Sequence, residues 1–141
     1  MAEAVFAHLV AQAGLSEHFQ IDSCGTSDYH QGDQAHPGTL KVLAQHGIDY
    51  HGRSRPLTPQ DLAQFDYVLA MDQSNLTHIQ RLAGGDQAKI ILFLNEAYQL
   101  KTVDRLEVPD PYYTGGFERV YQLVYRGSEA LLTRIRQDHQ I

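Results

Sequence analysis

Apolar residues recur at helical spacing from the start of the chain. Val5, Phe6, Leu9, Val10 and Ala13 share one face of a helix predicted over residues 2–13, and Gly14 stands where such a helix stops. Residues 19–23 alternate and read as a short strand. A polar loop through Tyr29 and Gly32 then leads to Pro37, which can open a helix ending near Gly47. Residues 51–56 read as loop. Thr58, Pro59 and Asp61 supply an N-cap, a proline at N1 and an acid at N3, so a short helix is predicted there. Residues 66–71 and 89–94 are β-rich and nearly continuously apolar, the pattern of parallel strands covered on both faces. Between them, residues 74–83 read as a helix stopped by Gly84 and Gly85. Phe117, Val120, Val124, Gly127 and Leu131 mark the apolar seam of a long C-terminal helix.

The sum is one α/β domain over residues 1–141 with a parallel sheet of flavodoxin-like, doubly wound type. The pattern has a gap. An amphipathic helix of this kind crosses over between two parallel strands, yet no strand precedes the first helix. In flavodoxin-like order the first strand is central, between the second and third. The domain is therefore expected to be incomplete at its N-terminus. Residues 19–23 and 66–71 should lie two strand spacings apart, about 9–10 Å, without bonding to each other.

Composition narrows the function. Apolar residues are 43% and charged residues 20%, ordinary globular values. A net charge of −6 argues against nucleic-acid binding. No run is long enough for a transmembrane helix and no signal segment opens the chain, which predicts no membrane association and a cytoplasmic location. The single cysteine permits no internal disulfide and suits a reducing compartment. The eight histidines show no metal-ligand spacing, so neither metal nor cofactor is expected.

The most informative motif is Asp110-Pro111-Tyr112-Tyr113, an acid on a proline-stiffened loop followed by two phenol rings. With Glu107, Val108, Pro109 and the segment through Glu118, this stretch resembles the low-molecular-weight protein tyrosine phosphatases. Ser23-Cys24-Gly25-Thr26 is similar to that family's Ser-Ala-Gly-Thr loop. Residues 70–75 are similar to its Met-Asp-x-Ser-Asn turn, and residues 1–6 to the start of its first helix. The resemblance spans essentially the whole chain and implies the phosphotyrosine phosphatase I-like fold.

The resemblance also implies a chemistry. In the family a cysteine thiolate attacks phosphotyrosine, a loop of N–H groups and an arginine hold the phosphate, and the phosphocysteine is hydrolysed. Asp110 matches the general acid that protonates the phenolate and later activates water. Tyr112 and Tyr113 match the aromatic wall for the substrate ring, and Tyr29 falls in the loop that supplies another wall. Ser23 and His51 match supporting residues around the phosphate loop. Asp72, Ser74 and Asn75 read as a helix cap, and Arg53 and Arg55 as solvated loop charges. The implied partner is a tyrosine-phosphorylated protein or peptide; the oligomeric state is left open.

The family's Cys-x5-Arg-Ser signature does not occur in residues 1–141. Cys24 has His30 where that motif needs arginine, and it reads as a packed small residue. Residues 1–141 alone are thus expected to be inactive, through either a misassigned start codon or a true truncation. Two alternatives stand beside this reading: an arsenate reductase of the same fold, which would need further cysteines, and a non-catalytic phosphatase-like binding protein.

Overall fold

The computed structural model describes residues 1–26, 31–84 and 88–141, and of Tyr113 and Thr114 the backbone alone. Tyr29, His30 and Gly85 lie outside the described residues. Helix α1 (Ala2–Gln12) follows the predicted span, and Gly14 takes φ +71°, a left-handed conformation that glycine adopts without penalty. A 3-10 turn at Ser16–His18 follows. Helix α2 (Pro37–Gln45) has Pro37 in its first turn and His36 as N-cap; the Gly38 N–H donates to His36 Nδ1 at 2.9 Å. Helix α3 (Pro59–Gln64) forms on the Thr58–Asp61 capping box read from the sequence.

Strands β1 (Tyr67–Ala70) and β2 (Lys89–Leu92) pair in parallel, Tyr67 opposite Lys89 and Ala70 opposite Leu92. Helix α4 (Gln73–Ala83) crosses between them, capped by Asp72 and ended by Gly84 in the left-handed region. Two short helices, α5 (Asn95–Gln99) and α6 (Pro111–Thr114), precede the long α7 (Phe117–His139).

Side-chain alternation splits the sheet between two cores. Tyr67, Leu69 and Met71 face the larger one, built from α1, α2, α5 and α7 around Val5, Val10, Leu43, Leu94, Val124 and Leu131. Val68, Ala70, Ile90 and Leu92 face a smaller one with Leu62 and Ile79. The fold is therefore three-layered, as continuously apolar strands require. Helix α7 sits close because residue 127 is glycine: a Cβ there would meet Leu94 Cδ2 and Phe93 Cε1, each at 2.7 Å.

Two expectations need correction. Residues 19–23 form no ladder; the first pairing in this region is a parallel bridge between Gly25 and Pro56. Strand pairing needs a partner as well as a pattern, and among the described residues no backbone hydrogen bond joins residues 19–24 to 66–71. Between the two segments runs a trough. One end, ≈360 Å³, is lined by residues 21–26 and 67–71 with Phe6 and Leu131. The other, ≈460 Å³, is lined by residues 18–22 and 64–67 with Ile135 and His139. Cys24, expected to be packed, is exposed at the trough wall.

Candidate active site

At the carboxyl edge of the sheet, where ligands bind in open α/β folds, Met71 and Asn75 line one cleft with residues 23–26, and residues 72–74 line another with residues 104–110. The acid loop is tied to the sheet by its own backbone. The Val108 N–H donates to the Met71 carbonyl at 2.9 Å, and Val108 is buried. Glu107 Oε2 accepts the Gln73 N–H at 2.7 Å, so an acid of this loop also satisfies the start of α4. Asp72 Oδ1 accepts the Asn75 N–H at 2.8 Å, which confirms the cap role read for the 72–75 turn.

Asp110 is exposed and caps α6: the Tyr112 N–H donates to its Oδ1 at 2.9 Å. Pro111 occupies the first helical position, where its missing N–H costs nothing. The bond from Tyr112 fixes the orientation of the carboxyl. Asp110 stands at one end of an open cleft of ≈740 Å³ shared with Asp72, Ser74 and Glu107. Tyr112 is 64% exposed, the placement a wall for an incoming ring requires. Its ring meets His36 edge-on at 5.5 Å, and His36 stacks on Phe117 at 5.0 Å. Helix α2 therefore braces the acid loop. Tyr113 has only its backbone described, within α6, and Tyr29 is not described.

Ser23 Oγ donates to Glu3 Oε1 at 2.6 Å, and Tyr50 Oη donates to the same oxygen at 3.1 Å. Burial, first of several causes, pushes the Tyr50 phenol up, which keeps it a donor. His51, expected among the supporting residues of the phosphate loop, is exposed and pairs with Asp49 at 2.9 Å. Its neighbour Tyr50 takes the inward place. Glu3 and Tyr50 carried no sequence signal beyond their positions in a helix start and a loop.

Arg55 departs from the solvated loop charge expected. Its guanidinium grips Asp61 with two bonds, 2.9 and 3.0 Å, and reaches Asp22 at 3.0 Å. Bonding to Asp61 raises Arg55 further, and bonding to Arg55 holds the Asp61 carboxyl below its ordinary value. Partial desolvation pushes the nearby Cys24 thiol up; Asp61 and Asp22 add to this, and Arg55 only partly opposes it. A thiol held protonated is a poor nucleophile. Among the described residues no cluster of His, Cys, Asp and Glu could hold a metal ion.

The description "Low molecular weight phosphotyrosine protein phosphatase" matches residues 1–141, and the chain belongs to this family. A Bacillus subtilis relative, "Low molecular weight protein-tyrosine-phosphatase YfkJ", is 39% identical over 142 residues, 100% of this chain and 90% of its own length. A Schizosaccharomyces pombe "Low molecular weight phosphotyrosine protein phosphatase" is 46% identical over 129 residues, 88% of this chain and 81% of its own. The crystal structure of YfkJ superposes with a TM-score of 0.90 at 39% identity, covering 97% of this chain and 86% of that one. The chain is thus related to protein-tyrosine phosphatases, hydrolases of phosphoproteins, and the match favours that reading over arsenate reduction. No helix among the described residues is long and apolar enough to cross a membrane.

Proposed function

We propose that Asp110 is the proton donor and acceptor of a protein tyrosine phosphatase acting on phosphotyrosine in proteins or peptides in the cytoplasm. The supporting observation is its placement: a carboxyl oriented by the Tyr112 N–H, on a loop bonded to the carboxyl edge of β1. As the phosphorus–oxygen bond to the substrate breaks, the Asp110 proton passes to the departing phenolate, whose conjugate acid has a pKa of about 10. The carboxylate left behind then takes a proton from the water that attacks the phosphocysteine.

Tyr112 forms one wall for the substrate ring, with Tyr113 and Tyr29 as further wall residues. Ser23, held by Glu3, supports the phosphate loop from outside. The nucleophile and the phosphate-gripping arginine are a Cys-x5-Arg-Ser loop, which residues 1–141 do not contain.

The test is turnover of an aryl phosphate by purified 1–141 protein. It should show none, because loss of the nucleophile in a serine protease costs on the order of a millionfold. Turnover abolished by Cys24→Ser would contradict both the proposed nucleophile and the inert reading of Cys24.

A further inference from the structure

Helix α2 opens on a histidine where cap chemistry alone would favour Asn, Asp or Ser. The acceptor is His36 Nδ1, which takes the Gly38 N–H at 2.9 Å. A ring nitrogen that accepts carries no proton, so the neutral ring holds its hydrogen on Nε2. The bond also fixes the ring against the start of α2. That ring meets two others. Phe117 stacks on it at 5.0 Å with the planes 22° apart, and Tyr112 meets it edge-on at 5.5 Å. Residue 38 shapes the same socket: a Cβ there would stand 2.5 Å from Phe117 Cζ, so a side chain would push the Phe117 ring off the helix start. The three rings come from the start of α2, from α6 and from the first position of α7. Gly115 and Gly116 join α6 to α7, both at positive φ, where glycine keeps the most backbone freedom. Ring packing therefore does more than this link to hold Tyr112 in place.

We propose that His36 is a positioning residue for the substrate: it fixes the Tyr112 ring as a preformed wall, with Phe117 backing the His36 ring. The inference rests on Tyr112 forming a wall of the substrate site, and not on the role of Asp110 as the acid. Tyr112 is exposed, and an exposed phenol without ring support must be ordered when a substrate ring arrives. Support from His36 removes part of that ordering cost before binding. An aromatic pair of this kind changes binding by about threefold to tenfold. The effect belongs to binding of the ring and not to proton transfer. The two duties of His36 separate cleanly. Asparagine keeps the cap acceptor and loses the ring; phenylalanine keeps the ring and loses the acceptor.

The test has two arms. Kinetics use the chain with a strand and Cys-x5-Arg-Ser-Pro joined to Met1, and p-nitrophenyl phosphate, whose activated leaving group has little need of the Asp110 proton. Amide exchange uses the 1–141 protein. His36→Asn should raise KM about threefold to tenfold with kcat within about twofold, and its melting temperature should stay near that of the parent. It should also speed exchange of the Tyr112 amide about threefold or more. His36→Phe should melt lower, yet bring KM and Tyr112 exchange back to within about twofold of the parent. Gly38→Ala, which displaces Phe117, should raise KM as His36→Asn does. The proposal is overturned if His36→Asn leaves KM or Tyr112 exchange unchanged. It is also overturned if KM follows melting temperature, so that His36→Phe is the worse variant; His36 would then be a cap and nothing more. Tyr112→Ala separates the two readings. A raised KM there with none in His36→Asn defeats this proposal alone, whereas no change in Tyr112→Ala removes the wall itself and the proposal with it.

Discussion

Replacing Asp61 by Asn should destabilise the fold by an amount that depends on pH. Asp61 is buried, and its two oxygens take four donors: Arg55 Nη1 and Nη2, and the N–H and Oγ1–H of Thr58. An asparagine keeps one acceptor oxygen. In its better orientation that oxygen stays with Thr58 and Nη1, and the NH2 group confronts Nη2. One charge-assisted bond is lost and the two from Thr58 become neutral, while the Nη1 bond stays charge-assisted through the guanidinium. Bonds to charged groups contribute about 1.5–3 kcal/mol and neutral ones about half that, so these losses sum to about 3–6 kcal/mol at pH 7. The folded-state carboxyl is held below its unfolded value of about 3.9. Its contribution is therefore complete above that unfolded value and is lost as pH falls through the folded one. Urea denaturation at pH 7 and near pH 3 measures this as a shift in midpoint at constant slope. A loss under about 0.5 kcal/mol at pH 7, or a difference that does not shrink on acidification, would refute the reasoning.

Gly127→Ala should destabilise by about 1–3 kcal/mol from overpacking against Phe93 and Leu94, offset in part by better helix propensity, as a thermal melt would register. His36→Ala should cost about 1 kcal/mol through the lost cap of α2. It should also speed exchange of the Tyr112 amide, because the ring bracing Tyr112 and Phe117 is gone; His36→Asn should restore the cap but not this protection. Cys24 should react with iodoacetamide more slowly than a free thiol at pH 8, since its folded environment disfavours the thiolate; a faster reaction would contradict the electrostatics described here.

What the sequence made legible was local. The Thr58–Asp61 box, the Pro37 start and the apolar seam of α7 depend on neighbours within a few residues, and each formed where expected. The parallel β1–β2 pair was also legible, because burial on both faces leaves a continuous apolar run. Helix α5 escaped because five residues are too few for periodicity to show, and α6 because its four residues are set by one cap and one proline. Residues 19–23 carry strand alternation, but a ladder depends on a partner that pattern does not reveal. The same nonlocality hid the site's support. Arg55 meets Asp22 across thirty-three positions, and Glu3 meets Tyr50 across forty-seven, so nothing near either residue announced the pair.

The central claim is that Asp110 supplies a proton to the leaving group. The most direct measurement joins an apolar strand and Cys-x5-Arg-Ser-Pro to Met1, then compares Asp110 with Asp110→Asn across aryl phosphates of graded leaving-group acidity. If Asp110 is the acid, the substitution should slow poor leaving groups by about a hundred to ten-thousandfold and activated ones far less, because only the former need the proton. An equal loss across the series, or no loss at all, would contradict the account.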